Sequence, residues 1–328
     1  MTTARKYVLE TLFQGTPKKS DLKIVEETLP AIKDGEFLAE AVWLSVDPYM
    51  RTLVNSSNIG NTMIGEQVAK IIESKNDDFK VGDYIAANFG WRTKTISNGD
   101  QVRKLDRSVY TDDKLSTAFG IMGMTGATAY LAFLDICVPK EGETLVITGA
   151  AGAVGSAVGQ IAKIKGCRVV GFAGSDEKVE YLKGLGFDEA INYKTMTSLK
   201  EALDKACPKG IDMFFDNVGG EFYDTIIPQM NNSGRVVIVG YMSQYNSEKP
   251  DQGPRLNPSI LAKELTIRGF FIYNWLPRWP EAFKAIGEWI DKGQLKYTES
   301  ITEGFDNMFD AFAGLFTGKH IGKAAVKA

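Results

Sequence analysis

The chain has 328 residues, of which 44% are hydrophobic and 24% charged, and its formal net charge is −3 at pH 7. At roughly 150 residues per domain, this length predicts two domains of ordinary globular composition. The slightly negative charge gives no general attraction to nucleic acid or to an anionic membrane. No apolar stretch approaches the roughly 20 residues of a membrane span. The charged first residues also lack the apolar region of a signal peptide.

Cysteine and histidine usage bears on the cell compartment and on metal binding. The three cysteines, Cys137, Cys167 and Cys207, are far apart and odd in number, which favours a reducing cytoplasm over a disulfide framework. The only histidine is His320, and a polar surface position is its simplest interpretation. Because zinc sites need several His or Cys ligands in suitable spacing, we expect no metal site.

The first 120 residues are predicted to be β-rich. Residues 36–46, 67–73 and 84–87 have the composition of short strands, and the first of these ends in an alternating pattern typical of a half-buried strand. Gly and Asn punctuate the stretch between residues 55 and 61, which indicates turns. No segment before residue 115 shows sustained helical periodicity.

From residue 143 onward, apolar runs alternate with helical patterns. Strands are predicted at 144–148, 168–173, 190–192, 212–216, 235–239 and 266–272. Helices are predicted between them at 154–165, 176–185, 198–206 and 221–230. Most of the strands lack polar alternation, as strands buried on both faces do. Six strands in this rhythm predict an α/β fold with the doubly wound parallel sheet of dinucleotide-binding proteins.

Three features lie beyond or between these units. Residues 281–292 have the pattern of an amphipathic helix, and 324–326 form a short apolar run. That last run has no helix-strand partner in the second half, so we expect the tail to return to the first domain. Residues 243–258 form the longest irregular stretch, and long loops in compact domains are often functional.

A glycine-rich segment, residues 149–155 (GAAGAVG), directly follows one predicted strand and opens the next helix. A helix start presents unpaired N–H groups and a partial positive charge, and glycine lets a pyrophosphate approach the backbone. Because strand, turn and helix are in register, we interpret the segment as a dinucleotide-binding loop. A tight turn in some other α/β fold is the alternative.

The end of the second strand indicates which dinucleotide is bound. An NAD site places Asp or Glu about 20 residues beyond the glycines, on the adenosine ribose. This chain has Gly174 and Ser175 there, with no carboxylate before Asp176 and with Lys178 close behind. A small pocket beside an ammonium suits a 2′-phosphate, so the sequence favours NADP(H). The alternative for Lys178 alone is a solvated charge on a helix surface.

Five motifs carry a resemblance to a known family. They are residues 45–51 (SVDPYMR), 123–130 (GMTGATAY), 150–156 (AAGAVGS), 216–220 (DNVGG) and 318–323 (GKHIGK). The chain resembles zinc-independent medium-chain dehydrogenase/reductases, in the branch of the prostaglandin and alkenal double-bond reductases. Where zinc-dependent relatives carry Gly-His-Glu, this chain has Gly65, Glu66 and Gln67.

The resemblance implies a domain plan and an assembly. Residues 1–121 and 297–328 would form a GroES-like, β-rich substrate domain, and residues 122–296 a Rossmann NADP-binding domain. The family also implies a homodimer that forms through the edge of the Rossmann sheet. Ala262 stands where members of this branch often have a tyrosine near the substrate.

The same resemblance implies a set of cofactor-binding positions. Those at the pyrophosphate are Gly152, Ala153, Val154 and Gly155. Those around the 2′-phosphate are Gly174, Lys178 and Tyr193. Those flanking the ribose and nicotinamide are Asn217, Val239, Gly240, Tyr241, Met242, Ser243, Gln244 and Tyr245. Those closing over the cofactor are Phe270, Phe271, Ile272 and His320.

The implied activity is NADPH-dependent reduction of the carbon-carbon double bond of α,β-unsaturated ketones and aldehydes. Substrates would include 15-oxo-prostaglandins and alkenals such as 4-hydroxynonenal, and oxidation of the 12-hydroxyl of leukotriene B4 would belong to the same range. Tyr245 and Tyr49 are candidate hydrogen-bond donors to the substrate carbonyl, and packing is the alternative for each. Arg51 is a candidate partner for a substrate carboxylate, or else part of a structural ion pair.

Two other functions stay open at this point. One is a quinone reductase of the same superfamily, and the other is a non-catalytic protein that binds NADPH. Enone, enal and quinone substrates would separate the three. Nothing basic and aromatic in the sequence favours RNA binding.

Overall fold

The computed structural model describes residues 2–328, which fall into two compact units. One unit takes the residues up to Gly120 together with Glu299–His320 and Ala324–Ala328. The other consists of Ile121–Thr298 and Ile321–Lys323. No helix in the described part of the chain has the length and apolar character needed to cross a bilayer.

The chain forms strands along its whole length. In chain order they are β1 (Thr2–Leu9), β2 (Leu22–Leu29), β3 (Phe37–Ser45), β4 (Gln67–Ser74), β5 (Tyr84–Ala87), β6 (Lys94–Ser97), β7 (Arg103–Lys104), β8 (Thr144–Ile147), β9 (Arg168–Ala173), β10 (Glu189–Asn192), β11 (Ile211–Asp216), β12 (Met230–Ile238), β13 (Thr266–Gly269), β14 (Glu299–Glu303) and β15 (Lys323–Lys327).

Helices are concentrated in the second unit. In chain order they are α1 (Tyr49–Thr52), α2 (Met124–Ala132), α3 (Ala153–Ile164), α4 (Asp176–Gly184), α5 (Leu199–Ala206), α6 (Glu221–Ile226), α7 (Asn257–Ala262), α8 (Trp279–Asp291) and α9 (Met308–Thr317). A π-helical turn, Phe133–Cys137, follows α2.

The first unit is β-rich and largely antiparallel. β1 and β2 form a hairpin, and a larger sheet has the strand order β14-β15-β3-β4-β5-β7, with β6 also pairing with β3. The last strand of the chain, β15, lies antiparallel to β3 with Ala325 opposite Ser45. This pairing adds the last strand of the chain to the larger sheet of the first unit.

The second unit contains a six-stranded sheet in the order β10-β9-β8-β11-β12-β13, with parallel pairing. This is the doubly wound order of Rossmann folds, in which the strand order reverses between the first and fourth strands. The predicted α/β fold class is therefore confirmed. The switch point lies between the carboxyl ends of β8 and β11, where such sheets bind ligands.

Burial explains why the central strands of this sheet lack polar residues. Leu145 and Phe215 pack into one hydrophobic cluster, while Val146 and Phe214 pack into a separate cluster. Because successive side chains of a strand point to opposite faces, neighbouring residues enter different cores. Both faces of the sheet are covered, as in other parallel sheets.

Some predicted elements differ from the structure. The helix predicted at 221–230 ends at Ile226, and a 3₁₀ turn, Ile227–Gln229, leads directly into β12. Pro228 contributes to this end because proline has no N–H to continue the helical hydrogen bonds, while Ile227 before it keeps helical dihedrals. The strand predicted at 266–272 is also too long, since β13 ends at Gly269 and a 3₁₀ segment, Ile272–Arg278, follows.

Candidate active site

The glycine-rich loop lies at the switch point and opens α3. Gly152 is the N-cap of this helix, and no side chain caps it, so the N–H groups of the first turn have no partner within the helix. A Cβ on Gly155 would lie 2.6 Å from the carbonyl oxygen of Gly149, which leaves room only for glycine. The loop therefore presents open backbone donors, as a pyrophosphate requires.

Gly322, from the end of the chain, braces this loop. Its N–H donates to the carbonyl oxygen of Ala151 at 2.8 Å, and it forms an isolated parallel bridge with Gly152. Its φ is +67°, and a Cβ there would collide with the carbonyl oxygen of Thr298. This close contact explains why Ile321–Lys323 belong to the second unit.

The carboxylate of Asp216 organises the other side of the switch point. Its Oδ1 accepts the hydroxyl of Thr148 at 2.8 Å and the N–H groups of Val218 and Gly219, both at 2.9 Å. Its Oδ2 has no partner within residues 2–328. Burial raises the pKa of this carboxyl, and the three hydrogen bonds oppose the shift.

Asn217 is tied to the same network. Its Nδ2 donates to the carbonyl oxygen of Thr148 at 2.7 Å, and its N–H donates to the Thr148 hydroxyl at 3.0 Å. The sequence interpretation assigned Asn217 to the cofactor but did not include Thr148 or Asp216. A signal was present, because each of these two residues ends a predicted buried strand.

Residues 239–245 follow β12 and form a loop beside Asn217. The hydroxyl of Ser243 donates to the carbonyl oxygen of Val218 at 2.6 Å, and the rings of Tyr241 and Tyr245 meet edge to face at 4.7 Å. Burial raises the pKa of the Tyr245 phenol, against a backbone hydrogen bond from Tyr241. Tyr245 therefore stays protonated at neutral pH and keeps a proton to donate.

A cleft of about 640 Å³ opens at the ends of β12 and β13. Its lining includes Val239, Gly240, Tyr241, Phe270 and Phe271, all of which the resemblance assigned to the cofactor, and also Ile238, Arg268, Gly269, Asn274 and Trp275. The volume is in the range of pockets for small molecules. The shortened last strand explains the additional lining residues, because the chain turns into a 3₁₀ segment there.

Some of the side chains that line the cleft pack against one another. Phe270 stacks on Trp275 with ring centroids 5.2 Å apart, and the guanidinium of Arg268 lies 5.6 Å from the Trp275 ring. Phe271 is half exposed, whereas the side chain of Ile272 is buried in the core. Ile272 therefore does not present its side chain to the cleft.

Gly174 and Tyr193 lie together at the end of β9, and Lys178 lies on the helix that follows. A Cβ on Gly174 would lie 2.8 Å from the Tyr193 hydroxyl, so the absence of a side chain makes room for that ring. Lys178 lies in the first turn of α4, where Ser175 accepts its N–H at 3.3 Å. Burial, followed by the charge of Lys194, lowers the pKa of the Lys178 ammonium.

The remaining candidates belong to the first unit. Tyr49 begins α1 and is half-buried. The Arg51 guanidinium lies 5.5 Å from the Phe13 ring and donates to the carbonyl oxygen of Gly15 at 3.3 Å. His320 packs on Gly314, and its Nε2 lies 2.7 Å from the carbonyl oxygen of Ala311.

The described residues offer no cluster of metal ligands. Residues 2–328 contain no group of three or more His, Cys, Asp or Glu side chains placed to hold an ion. The three cysteines are buried thiols, and burial raises the pKa of Cys137 to about 12.

The open start of α3 fits a pyrophosphate, and the half-buried ammonium of Lys178 fits the additional phosphate that distinguishes NADP(H) from NAD(H). No carboxylate occupies the end of β9 to repel that phosphate. The second unit is thus of the class that binds nicotinamide dinucleotides in a Rossmann fold.

Comparison with known proteins narrows this class. Residues 5–105 match the family model described as N-terminal domain of oxidoreductase, and residues 153–290 the model described as zinc-binding dehydrogenase. Prostaglandin reductase 1 of Bos taurus is 49% identical, covering 100% of both chains. The NADP(+)-dependent 2-alkenal reductase of Nicotiana tabacum is 37% identical over 98% of this chain and 96% of that one.

A solved structure is similar over nearly the whole chain. CurA from Vibrio vulnificus in complex with NADPH is 38% identical, with a TM-score of 0.92, covering 99% of both chains. This chain belongs to the zinc-independent medium-chain dehydrogenase/reductase family, as the resemblance of its motifs predicted.

Replacing Lys178 by alanine tests the 2′-phosphate site. We expect the dissociation constant for NADPH to rise about tenfold or more, because one lost charge-assisted contact is worth roughly 1.5–3 kcal/mol. The affinity for NADH should not change. Isothermal titration calorimetry of both cofactors measures this, with Lys183→Ala on the same helix as the matched control. Equal loss for both cofactors would contradict the assignment.

Proposed function

We propose that the protein reduces the carbon-carbon double bond of α,β-unsaturated ketones and aldehydes with NADPH. The observation that carries the proposal is the phenol of Tyr245, protonated at neutral pH, on the loop after β12, whose first residues line the cleft and whose Ser243 contacts the turn after β11. Two relatives named for this chemistry, at 49% and 37% identity over nearly the whole chain, support it. 15-oxo-prostaglandins and alkenals such as 4-hydroxynonenal are the proposed substrates.

The site needs few chemical groups for this reaction. NADPH, when bound, supplies the hydride that reaches the β-carbon of the conjugated double bond. Negative charge would then develop on the carbonyl oxygen of the substrate, where the hydroxyl of Tyr245 would donate a hydrogen bond, and a proton from solvent water would add to the α-carbon to give the saturated carbonyl. Because an enolate is far less basic than an alkoxide, one or two neutral donors stabilise it adequately. The backbone donors at Gly152 to Gly155 and the ammonium of Lys178 orient the cofactor.

We assign the substrate to the first unit and the cofactor to the second. Tyr49 is proposed as a second donor, and Arg51 as the partner of a substrate carboxylate. Two observations support this role of Arg51. No carboxylate within residues 2–328 forms an ion pair with it, and its Nε is buried without a hydrogen-bond partner. His320 is proposed to close over the cofactor.

A substrate panel tests the activity. NADPH oxidation should be fast with a carboxylate-bearing enone and with a short alkenal, and slow with quinones, and mass spectrometry should find the saturated carbonyl product. Pretreatment with EDTA should leave these rates unchanged. In Arg51→Met, the KM should rise about tenfold for the carboxylate-bearing enone alone, since only that substrate loses a charged contact.

Two outcomes of the panel contradict the proposal. Rapid quinone reduction with little enone reduction would identify a quinone reductase. NADPH binding without turnover of any member would identify a binding protein.

Removing the Tyr245 hydroxyl tests the donor. Loss of a main oxyanion donor costs on the order of 100-fold in turnover, and a hydroxyl of the bound cofactor's ribose would share this role with Tyr245. We therefore expect Tyr245→Phe to lower kcat about 5- to 50-fold, with NADPH affinity nearly unchanged. Stopped-flow kinetics measures this, and Tyr181→Phe, which removes another buried phenol of the same unit, is the control. An unaltered kcat would assign Tyr245 to packing.

We also propose that the protein is a cytoplasmic homodimer. β13 is an edge strand with mostly exposed residues, and exposed edges pair readily with another strand. Three large apolar side chains nearby are exposed, namely Leu261 at 81%, Phe271 at 51% and Leu276 at 49%. Three buried, separated thiols support a reducing compartment.

Sedimentation velocity tests the assembly. The protein should sediment with about twice its 36.0 kDa chain mass, and Leu276→Lys should shift it toward the single chain, because a charge opposes burial at an apolar interface. Val81→Lys, at an apolar position of the first unit that is 63% exposed against 49% for Leu276, should leave the mass unchanged. A wild-type single chain at micromolar concentration would contradict the dimer.

A further inference from the structure

The turn after β10 lies directly beside the proposed 2′-phosphate site. Asn192, the last residue of β10, pairs with Ala173 of β9, and the Tyr193 N–H donates to the carbonyl oxygen of Ala173 at 3.0 Å. The hydroxyl of Tyr193 thereby reaches Gly174. Lys194 is the next residue, so its backbone is placed by the same pairing.

The side chain of Asn192 clamps this turn to the start of α4. Its Nδ2 donates to Asp176 Oδ1 at 2.8 Å, and its Oδ1 accepts the N–H of Lys194 at 3.1 Å. One carboxamide therefore fixes the backbone of Lys194 and also engages the nearest carboxylate of the first turn.

The ammonium of Lys194 has no acidic partner in the part of the chain that the structure describes. Three other lysines of this unit, Lys163, Lys183 and Lys200, pair instead with Asp188, Glu180 and Asp204. Lys194 is exposed, and after burial its charge is the next cause that lowers the pKa of the Lys178 ammonium. Two cations held together repel each other, and a dianion between them converts this repulsion into attraction.

We propose that Lys194 determines the specificity for NADP(H) together with Lys178, by presenting a second ammonium to the 2′-phosphate from the turn that Asn192 clamps. This inference rests on the proposed use of NADPH. A phosphate with about two negative charges is matched by two cations, and the geometry supplies them from two different elements, α4 and the turn after β10. Lys194 is solvent-exposed, so its contribution is smaller than that of Lys178.

Binding measurements on the protein without substrate test the proposal. Lys194→Met keeps most of the aliphatic stem and removes the charge. We expect it to weaken binding of NADP⁺ and of adenosine 2′,5′-bisphosphate about fivefold, a loss on the scale of one exposed charged contact. Binding of NAD⁺ should stay within twofold of wild type. Lys200→Met, which removes another exposed lysine of this unit, should change neither affinity.

Salt provides an independent readout. Because each phosphate contact made by a cation is screened by salt, the affinity of Lys194→Met for NADP⁺ should fall less steeply between low and high ionic strength than that of wild type. Asn192→Ala should weaken NADP⁺ binding in the same direction, since it releases the turn while keeping both lysines. The melting temperature of Lys194→Met should match wild type.

The outcomes separate this proposal from the proposed function. A wild type that binds NAD⁺ and NADP⁺ equally contradicts NADPH use itself. A wild type that prefers NADP⁺, with Lys194→Met retaining the full preference, contradicts only the role of Lys194. An equal loss of NAD⁺ and NADP⁺ binding in Lys194→Met also contradicts it, because the residue would then support the fold of the site rather than bind the phosphate.

Discussion

Much of the cofactor side of this molecule depends on one buried carboxylate. Asp216 is 1% exposed and ends a central strand. Its Oδ1 accepts hydrogen bonds from a hydroxyl at the end of β8 and from two N–H groups in the turn after β11. A single oxygen thus fixes the two neighbouring strand ends between which a doubly wound sheet binds its ligand.

The arrangement has an energetic cost. Burying a carboxylate disfavours its charged form, which is why the pKa of Asp216 rises. Hydrogen bonds to the carboxylate offset part of that cost, and they also bend residues 217–220 into a turn with positive φ at Gly219 and Gly220. That turn accepts the hydroxyl of Ser243 through Val218. The loop that carries Tyr245 is therefore positioned by the same carboxylate, through two hydrogen bonds in series.

The sequence predicted the parts of this site that depend on local pattern. Buried strands, the helix that begins at the glycine-rich loop and the absence of a carboxylate at the end of β9 follow from residue periodicity and type. The parallel pairing of the sheet follows from alternating strands and helices. The approximate positions of the strands that end in Ala173 and Asp216 were predicted for that reason.

Contacts between segments far apart in the chain could not be predicted from local sequence patterns. Nothing local indicates that Gly322 donates to Ala151, or that Arg235 donates to the carbonyl oxygen of Cys137 and to Glu143. The predicted helix at 221–230 and the predicted strand at 266–272 are too long for local reasons instead. The helix was extended past Pro228, and the strand past the turn after Gly269. The roles of Tyr49, Arg51, Tyr245 and His320 stay predictions.

The proposed cofactor selectivity combines a lysine on a helix with a lysine on a turn. In a NAD site one carboxylate at the end of the second strand decides the choice, whereas the selecting charges proposed here come from a helix and from a turn. A lysine on a flexible stem loses conformational freedom when it binds, and this loss is smaller for Lys178, whose stem is already half-buried. Lys194 has an exposed stem, but its backbone is already fixed by the hydrogen bond to Asn192, so it has less conformational freedom to lose on binding. Selectivity at this site is thus a property of the paired ends of β9 and β10, and it requires the register that places Tyr193 over Gly174.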